Sequence, residues 1–135
     1  MSAASNYLEN KVLDHVLKNT AYAQPTNLYV GLFTNTSGNA ADNLEAGTLT
    51  DEVSGGSYAR QTASFSAASG GSSSTSATVT FPAATANWGT ITHVAVLDAV
   101  SGGNVLFWGA VTTSKTIETG DTFQITSGNL TISLA

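Results

Sequence analysis

The pattern of apolar positions changes once along the chain, near Pro25, from a helical repeat to the alternation typical of strands. Residues 6–19 carry an apolar side chain at every third or fourth position, which predicts an amphipathic helix. Asn6 is expected to cap this helix, with Glu9 three residues later in a capping box. The apolar stripe consists of Leu8, Val12, Leu13, Val16 and Leu17. Because the stripe covers one side only, we expect the helix to dock on a sheet or on a neighbouring subunit.

The chain after Pro25 predicts short strands joined by turns. Residues 28–34 are apolar on both faces, which is typical of a central strand. Residues 91–98 and 105–112 predict a hairpin, because a glycine-containing turn joins two apolar runs. Further strands are predicted over residues 58–65, 77–81, 115–118, 122–125 and 130–134.

Two polar segments interrupt these strands and are predicted to be loops. Residues 35–51 are too long for a tight hairpin turn, and residues 69–74 form a flexible Ser/Gly loop. Since neither side of the second loop is able to fold alone, we expect a single domain over residues 1–135, with the sandwich over about 27–135. The predicted fold class is mainly β: an antiparallel β-sandwich or jelly roll with one N-terminal α-helix.

Charged residues are scarce, at 10% of 135 residues, whereas an ordinary soluble domain carries about 25%. A surface of neutral Ser, Thr, Asn and Gly suits a subunit that works packed against others. The net charge is −5 and the four basic residues are scattered, so we expect no nucleic-acid partner, since phosphate binding needs clustered Lys and Arg. No stretch approaches the ~20 apolar residues of a membrane span, so we expect no membrane partner either.

The sequence contains no recognisable catalytic or metal-binding pattern. His15 and His93 are the only histidines and lie on different predicted elements, so we expect packed or interfacial side chains rather than metal ligands. The acidic residues of the long loop are Asp42, Glu45, Asp51 and Glu52. A solvated acidic loop is favoured over a calcium site, because the ligand alternation is interrupted at Leu44. We therefore predict no catalytic residue, no metal and no cofactor, and a protein that is not an enzyme.

The two tryptophans leave two interpretations open. Trp88 and Trp108 are candidates for stacking on a sugar ring, as in jelly-roll lectins. Phe107 and Trp108 are neighbours on a predicted strand, so their side chains point to opposite faces. One of these two aromatic side chains should therefore lie in the core. We favour core packing or a subunit interface for both tryptophans and keep glycan stacking as the alternative.

Several blocks, in order along nearly the whole chain, resemble small structural proteins of tailed bacteriophages. These blocks are residues 5–17 (SNYLENKVLDHVL), 52–60 (EVSGGSYAR), 87–93 (NWGTITH), 98–104 (DAVSGGN) and 120–123 (GDTF). The resemblance implies a virion protein, labelled either a capsid decoration (cement) protein or a tail-fibre protein. It brings no catalytic motif to this chain.

The first hypothesis is a capsid decoration protein that binds the major capsid protein and stabilises the head. It would be made in the host cytoplasm and form a dimer or trimer on the capsid surface of the virion. The residues predicted to make capsid or subunit contacts are Tyr7, Leu8, Lys11, Tyr58 and Arg60. The alternative is a tail-fibre or tail-tip subunit that binds a host glycan. A carbohydrate-active domain is disfavoured, because Asp98 and Glu118 are its only strand-associated carboxylates.

Overall fold

The computed structural model describes residues 3–134, which form two helices and nine strands. The helices are α1 (Asn6–Leu17) and α2 (Ala40–Ala46). The strands are β1 (Ala3–Ala4), β2 (Leu28–Phe33), β3 (Gln61–Ala63), β4 (Ser72–Ser74), β5 (Val79–Thr80), β6 (Gly89–Leu97), β7 (Val105–Ile117), β8 (Gln124–Ile125) and β9 (Thr131–Ser133). The predicted mainly β fold with an N-terminal helix is confirmed.

Five of the strands form one antiparallel sheet in the order β1-β7-β6-β2-β3. Its longest pair is β6 with β7, which runs from Leu97 opposite Val105 to Gly89 opposite Ile117. The predicted hairpin is therefore confirmed. The separate strand predicted over 115–118 is wrong, because β6 begins two residues earlier than predicted and pairs with a β7 that continues to Ile117.

Each face of this central sheet is covered by different elements. On one face, residues of β5 and β8 pack on the sheet around a large buried cluster. The buried members of this cluster are Val30, Leu32, Val53, Val79, Phe81, Ala84, Trp88, Ile91, Val94, Ile117 and Phe123. On the other face, Leu44 of α2 packs on Phe33, Ala95 and Leu97. The strands outside the central sheet form two ladders, β4–β9 and β5–β8; a jelly-roll topology stays a prediction.

Two segments predicted to be loops contain regular structure. Within 35–51, helix α2 buries Ala40 and Leu44, one turn apart, and ends at Gly47 in the left-handed conformation (φ +82°). Within 69–74, strand β4 pairs with β9 near the other end of the chain. Both predictions are wrong for the same reason: the local sequence is polar, and distant contacts stabilise the helix and the strand.

Helix α1 is capped by Ser5, which lies inside the protein. Ser5 Oγ accepts a hydrogen bond from the Leu8 amide at 3.3 Å and donates to the Val105 carbonyl. The Ser5 amide donates to the Leu106 carbonyl at 2.9 Å, so the start of the helix is fastened to β7. The predicted cap at Asn6 is wrong, because Asn6 is already the first helical residue.

Ser5→Ala is expected to lower the free energy of unfolding by about 1–2 kcal/mol, because the Leu8 amide and the Val105 carbonyl both lose a partner. The matched control is Asn6→Ala, an exposed position where we expect a change below about 0.5 kcal/mol. Urea unfolding followed by circular dichroism measures both effects. Equal effects of the two substitutions would show that Ser5 is not the cap.

Candidate interaction surface

Most of the apolar stripe of α1 faces solvent. Leu8 is buried, whereas Val12, Leu13, Val16 and Leu17 are 40%, 53%, 69% and 74% exposed. We call these four exposed residues the α1 patch. Since soluble monomers rarely expose clustered large apolar side chains, the α1 patch has the character of a contact surface. Within the chain, Leu8 is thus the one residue of the stripe that is buried.

An apolar groove continues the α1 patch across the neighbouring strands. The groove has a volume of about 550 Å³, and its lining includes Val12 and Leu13 of α1 and Leu134 near the end of the chain. The lining also includes Tyr22, Pro25, Leu28, Leu106 and Phe107. Leu134 is itself largely exposed and also lines a second apolar groove of about 290 Å³. The apolar surface therefore extends well beyond the helix.

The residues predicted for contacts at the start of α1 differ in accessibility. Tyr7 is half-buried and Lys11 is exposed, with Lys11 Nζ 5.7 Å from the centre of the Tyr7 ring, in cation–π range. Leu8 is covered within the chain. The most exposed apolar side chains of α1 lie in its second half, where contact residues were not predicted, although the width of the apolar stripe signalled them. The contact roles of Tyr7, Leu8 and Lys11 stay predictions.

Tyr58 and Arg60 belong to an internal network around Glu52. Arg60 donates from Nε to Glu52 Oε2 and from Nη2 to Oε1, both at 2.7 Å, which is a bidentate ion pair. Tyr58 Oη donates to Glu52 Oε2 at 2.8 Å and accepts from the Leu32 amide at 3.0 Å. The Arg60 side chain is only 2% exposed. Contact roles for Tyr58 and Arg60 stay predictions, and this burial does not support them.

The same network holds the turn between β6 and β7. Arg60 Nη1 donates to the carbonyls of Ala99 and Gly102 at 2.7 and 2.8 Å. Gly31 leaves room for the network, because a Cβ there would lie 3.1 Å from Glu52 Oε2. Burial, reinforced by the charge of Glu52, raises the pKa of Tyr58 above its ordinary value, so the phenol remains a donor. These contacts assign Arg60 a role in stabilising the fold.

The tryptophans are engaged within the chain. Trp88 is 5% exposed, donates from Nε1 to the Gly56 carbonyl at 2.9 Å and packs edge-on against Tyr58. Trp108 is half-buried and donates from Nε1 to Glu45 Oε2 at 2.7 Å. Trp88 thus lies in the core and Trp108 at its margin. Stacking of a sugar on either ring stays a prediction, and Trp88 has little surface available for it.

Of the four acidic residues of the long loop, Asp42 is exposed as expected, whereas Glu45, Asp51 and Glu52 are bound within the fold, so the expectation of a solvated acidic cluster is wrong for these three. Asp51 is buried and accepts from the Ser37 amide at 2.9 Å and from Ser37 Oγ at 2.5 Å. Burial raises the pKa of Asp51, but the hydrogen bonds, led by those from Ser37, outweigh it and lower the pKa below its ordinary value. Glu45 and Glu52 bind to other partners within the fold.

The structure gives no positive sign of a metal site or a membrane span over residues 3–134. In this part of the chain no three His, Cys, Asp or Glu residues lie together in a group able to hold a metal ion. His15 accepts from the Tyr22 amide at 3.1 Å, and His93 shares a hydrogen bond with Thr92 Oγ1 at 2.8 Å. No helix in this range has the length and apolar character to cross a membrane.

Comparison with known proteins identifies the family of the chain. Residues 3–133, nearly the whole sequence, match the family model described as Podophage GP4 fiber I protein gp80. No curated protein matches the chain. The family match confirms the resemblance to phage structural proteins seen in the sequence blocks. The chain therefore belongs to the Podophage GP4 fiber I protein gp80 family and is a structural protein of the phage virion.

Proposed function

We propose that the protein is a building block of a virion fibre and joins its neighbours through the α1 patch. The family description, which names a fibre protein, supports a fibre over other places in the particle. The observation that carries the proposal is the cluster of exposed apolar side chains on α1. Such a surface promotes aggregation of a freely diffusing protein, but it stabilises the contacts of a subunit that is buried in an assembly.

Burial of the α1 patch would drive assembly. Full burial of a Val or Leu side chain contributes about 1.5–3 kcal/mol. The four patch residues are 40–74% exposed, so more than half of this contribution is still available to an interface. The charged residues Lys11, Asp14 and Lys18 lie on the same helix as the patch, so a neighbouring subunit has to pair them or leave them in solvent at the rim of the contact. Where many copies sit side by side, such modest contacts add through multivalency. The proposed partners are further copies of this chain, in a dimer or trimer, and an adjacent virion protein.

The surroundings of the two tryptophans disfavour recognition of a host glycan. Stacking on a sugar needs an accessible aromatic face, and Trp88 is enclosed by the core. Trp108 is half-buried with its indole N–H bound to Glu45. We therefore favour an assembly role for this chain over a receptor-binding role.

Capsid decoration is the second candidate function. The sequence lacks the repeats and coiled-coil heptads from which long fibre shafts are often built. In this case the α1 patch would bind the major capsid protein at the capsid surface. Both functions use the same contact surface, so copy number and location distinguish them.

Counting the copies in purified virions tests the proposal. Quantitative mass spectrometry measures the ratio of this chain to the major capsid protein, and cryo-electron microscopy of the same particles locates it. We expect a copy number far below that of the capsid protein and density confined to discrete appendages. A ratio near one, with density spread over the capsid lattice, would contradict the fibre proposal and support decoration.

A further inference from the structure

Helix α1 projects from the body of the protein beyond its first turn. Every residue from 9 to 17 is exposed, whereas Tyr7 is half-buried and Leu8 is buried. The helix has 12 residues. Isolated helices shorter than about 12–15 residues are only marginally stable in water, and most helices in proteins are stabilised by packing of their apolar face. A partner that covers residues 9–17 would therefore stabilise the helix as well as the contact.

The exposed apolar side chains of the protein are concentrated at one place. Over residues 3–134, six large aliphatic side chains are exposed: the four residues of the α1 patch, Leu134 and Val100. Leu134 lines the groove of about 550 Å³ beside the helix, together with Val12 and Leu13 of the patch. We call this groove the α1 groove. Five of the six side chains thus belong to one surface, which consists of a projecting helix and the groove next to it.

The α1 groove has the character of a site for an amphipathic helix. Its lining includes Leu28, Leu106 and Phe107, which also line the neighbouring apolar groove of about 290 Å³, so the apolar surface is continuous. Burial of an apolar helix stripe in such a groove is a recurring mode of recognition. Val16 and Leu17 are not part of the lining in their own chain, so they remain available to a different groove.

We propose that the α1 groove binds the α1 patch of a second copy of this chain, with each copy placing its helix in the groove of the other. An isologous contact uses the same surface on both subunits, and here that surface contains both the helix and the groove that receives it. The exchange covers all five exposed aliphatic side chains at once. A partner that offers only a helix or only a groove leaves part of this surface in water. The proposal rests on the proposed function in taking the α1 patch as the contact surface, and it names the occupant.

The charges on α1 agree with this arrangement. Lys11, Asp14 and Lys18 are three and four residues apart, so they lie along the side of the helix opposite to the patch and stay in solvent when the patch is covered. Among the described residues that line the α1 groove, Glu9 is the charged one, and its carboxylate forms no ion pair over residues 3–134. Lysine side chains extend along apolar surfaces. The incoming helix therefore brings two of the four basic residues of the chain to the rim of a groove that holds an unpaired carboxylate.

Thiol cross-linking tests which surface meets which. The chain has no cysteine, so a Leu17→Cys chain and a Leu134→Cys chain each carry a single thiol. The two chains are mixed and treated with a short bismaleimide, and mass spectrometry measures the yield of the mixed covalent pair. We expect at least about tenfold more of this pair than in a control mixture of the Leu17→Cys chain with a Val100→Cys chain, because docking raises the effective concentration of the two thiols. Equal yields in the two mixtures would overturn the proposal.

Hydrogen exchange on the unmodified chain tests the occupant without any substitution. Sedimentation first gives the concentration range over which the chain associates, and exchange is then compared above and below this range. We expect association to slow amide exchange over residues 12–17 by about tenfold or more, since a covered helix opens less often. The proposal is overturned if the chain stays monomeric throughout, if exchange over 12–17 does not change, or if it slows only when another virion protein is added. Neither experiment uses virions, so both results are independent of the copy number that tests the fibre assignment.

Discussion

Replacing Val16 and Leu17 of the α1 patch by serine is expected to reduce incorporation of the protein into virions about a hundredfold. Each truncation removes an apolar contact worth about 1.4 kcal/mol at the interface, and each 1.4 kcal/mol is a factor of ten in association. The stability of the free chain should hardly change, because these side chains are 69% and 74% exposed. Mass spectrometry of virions assembled with the variant chain measures incorporation, and urea unfolding measures stability.

The matched control for this variant is Val100→Ser. Val100 lies in the turn between β6 and β7 and is 61% exposed, close to the exposure of Val16, but it is outside the α1 patch. We expect virions to incorporate the Val100→Ser chain as well as the original one. If the patch variant and Val100→Ser enter virions equally well, the α1 patch is not the contact surface and the proposed mode of assembly fails.

Glu52→Gln is expected to destabilise the protein by about 3–5 kcal/mol, the largest effect on stability that we predict. The substitution keeps the shape of the side chain but removes the charge that compensates the buried Arg60 guanidinium. It also weakens the acceptor for the Tyr58 hydroxyl. Since domains of this size are stable by about 5–15 kcal/mol, the loss is a large part of the total. Urea unfolding followed by tryptophan fluorescence gives the change in free energy.

The control for Glu52→Gln is the same substitution at Glu118. Glu118 is exposed, and its side chain makes no ion pair in the structure over residues 3–134. We expect Glu118→Gln to change stability by less than about 0.5 kcal/mol. A loss at Glu52 no larger than that at Glu118 would show that the internal ion pair contributes little to the fold.

The elements with a strong local pattern were predictable from sequence. The helical repeat predicted α1, and apolar runs bounded by turn residues predicted β2, β6 and most of β7, because the burial of a strand or of one helix face determines which positions are apolar. Helix α2 and strand β4 were not predictable in this way. Strand β4 consists of three serines, which have little preference for strands, and it exists because Ser72–Ser74 pair with residues 131–133.

The candidate contact surface was only partly predictable. The apolar stripe of α1 is evident in the sequence, but its uncovered part depends on how Ser5 and Leu8 seat the helix against β7. Arg60 close to Tyr58 suggested an interface contact on sequence grounds. Its burial depends on Glu52 and on two carbonyls of the β6–β7 turn, which lie far away along the chain.

By itself, the sequence determined the mainly β class, the sparsely charged surface and the phage structural family, because composition, spacing and residue order carry that information. The tertiary structure decided which apolar side chains remain uncovered and which charges are paired inside. These properties depend on contacts between residues that are distant in sequence, and such contacts exist only once the sheet has formed.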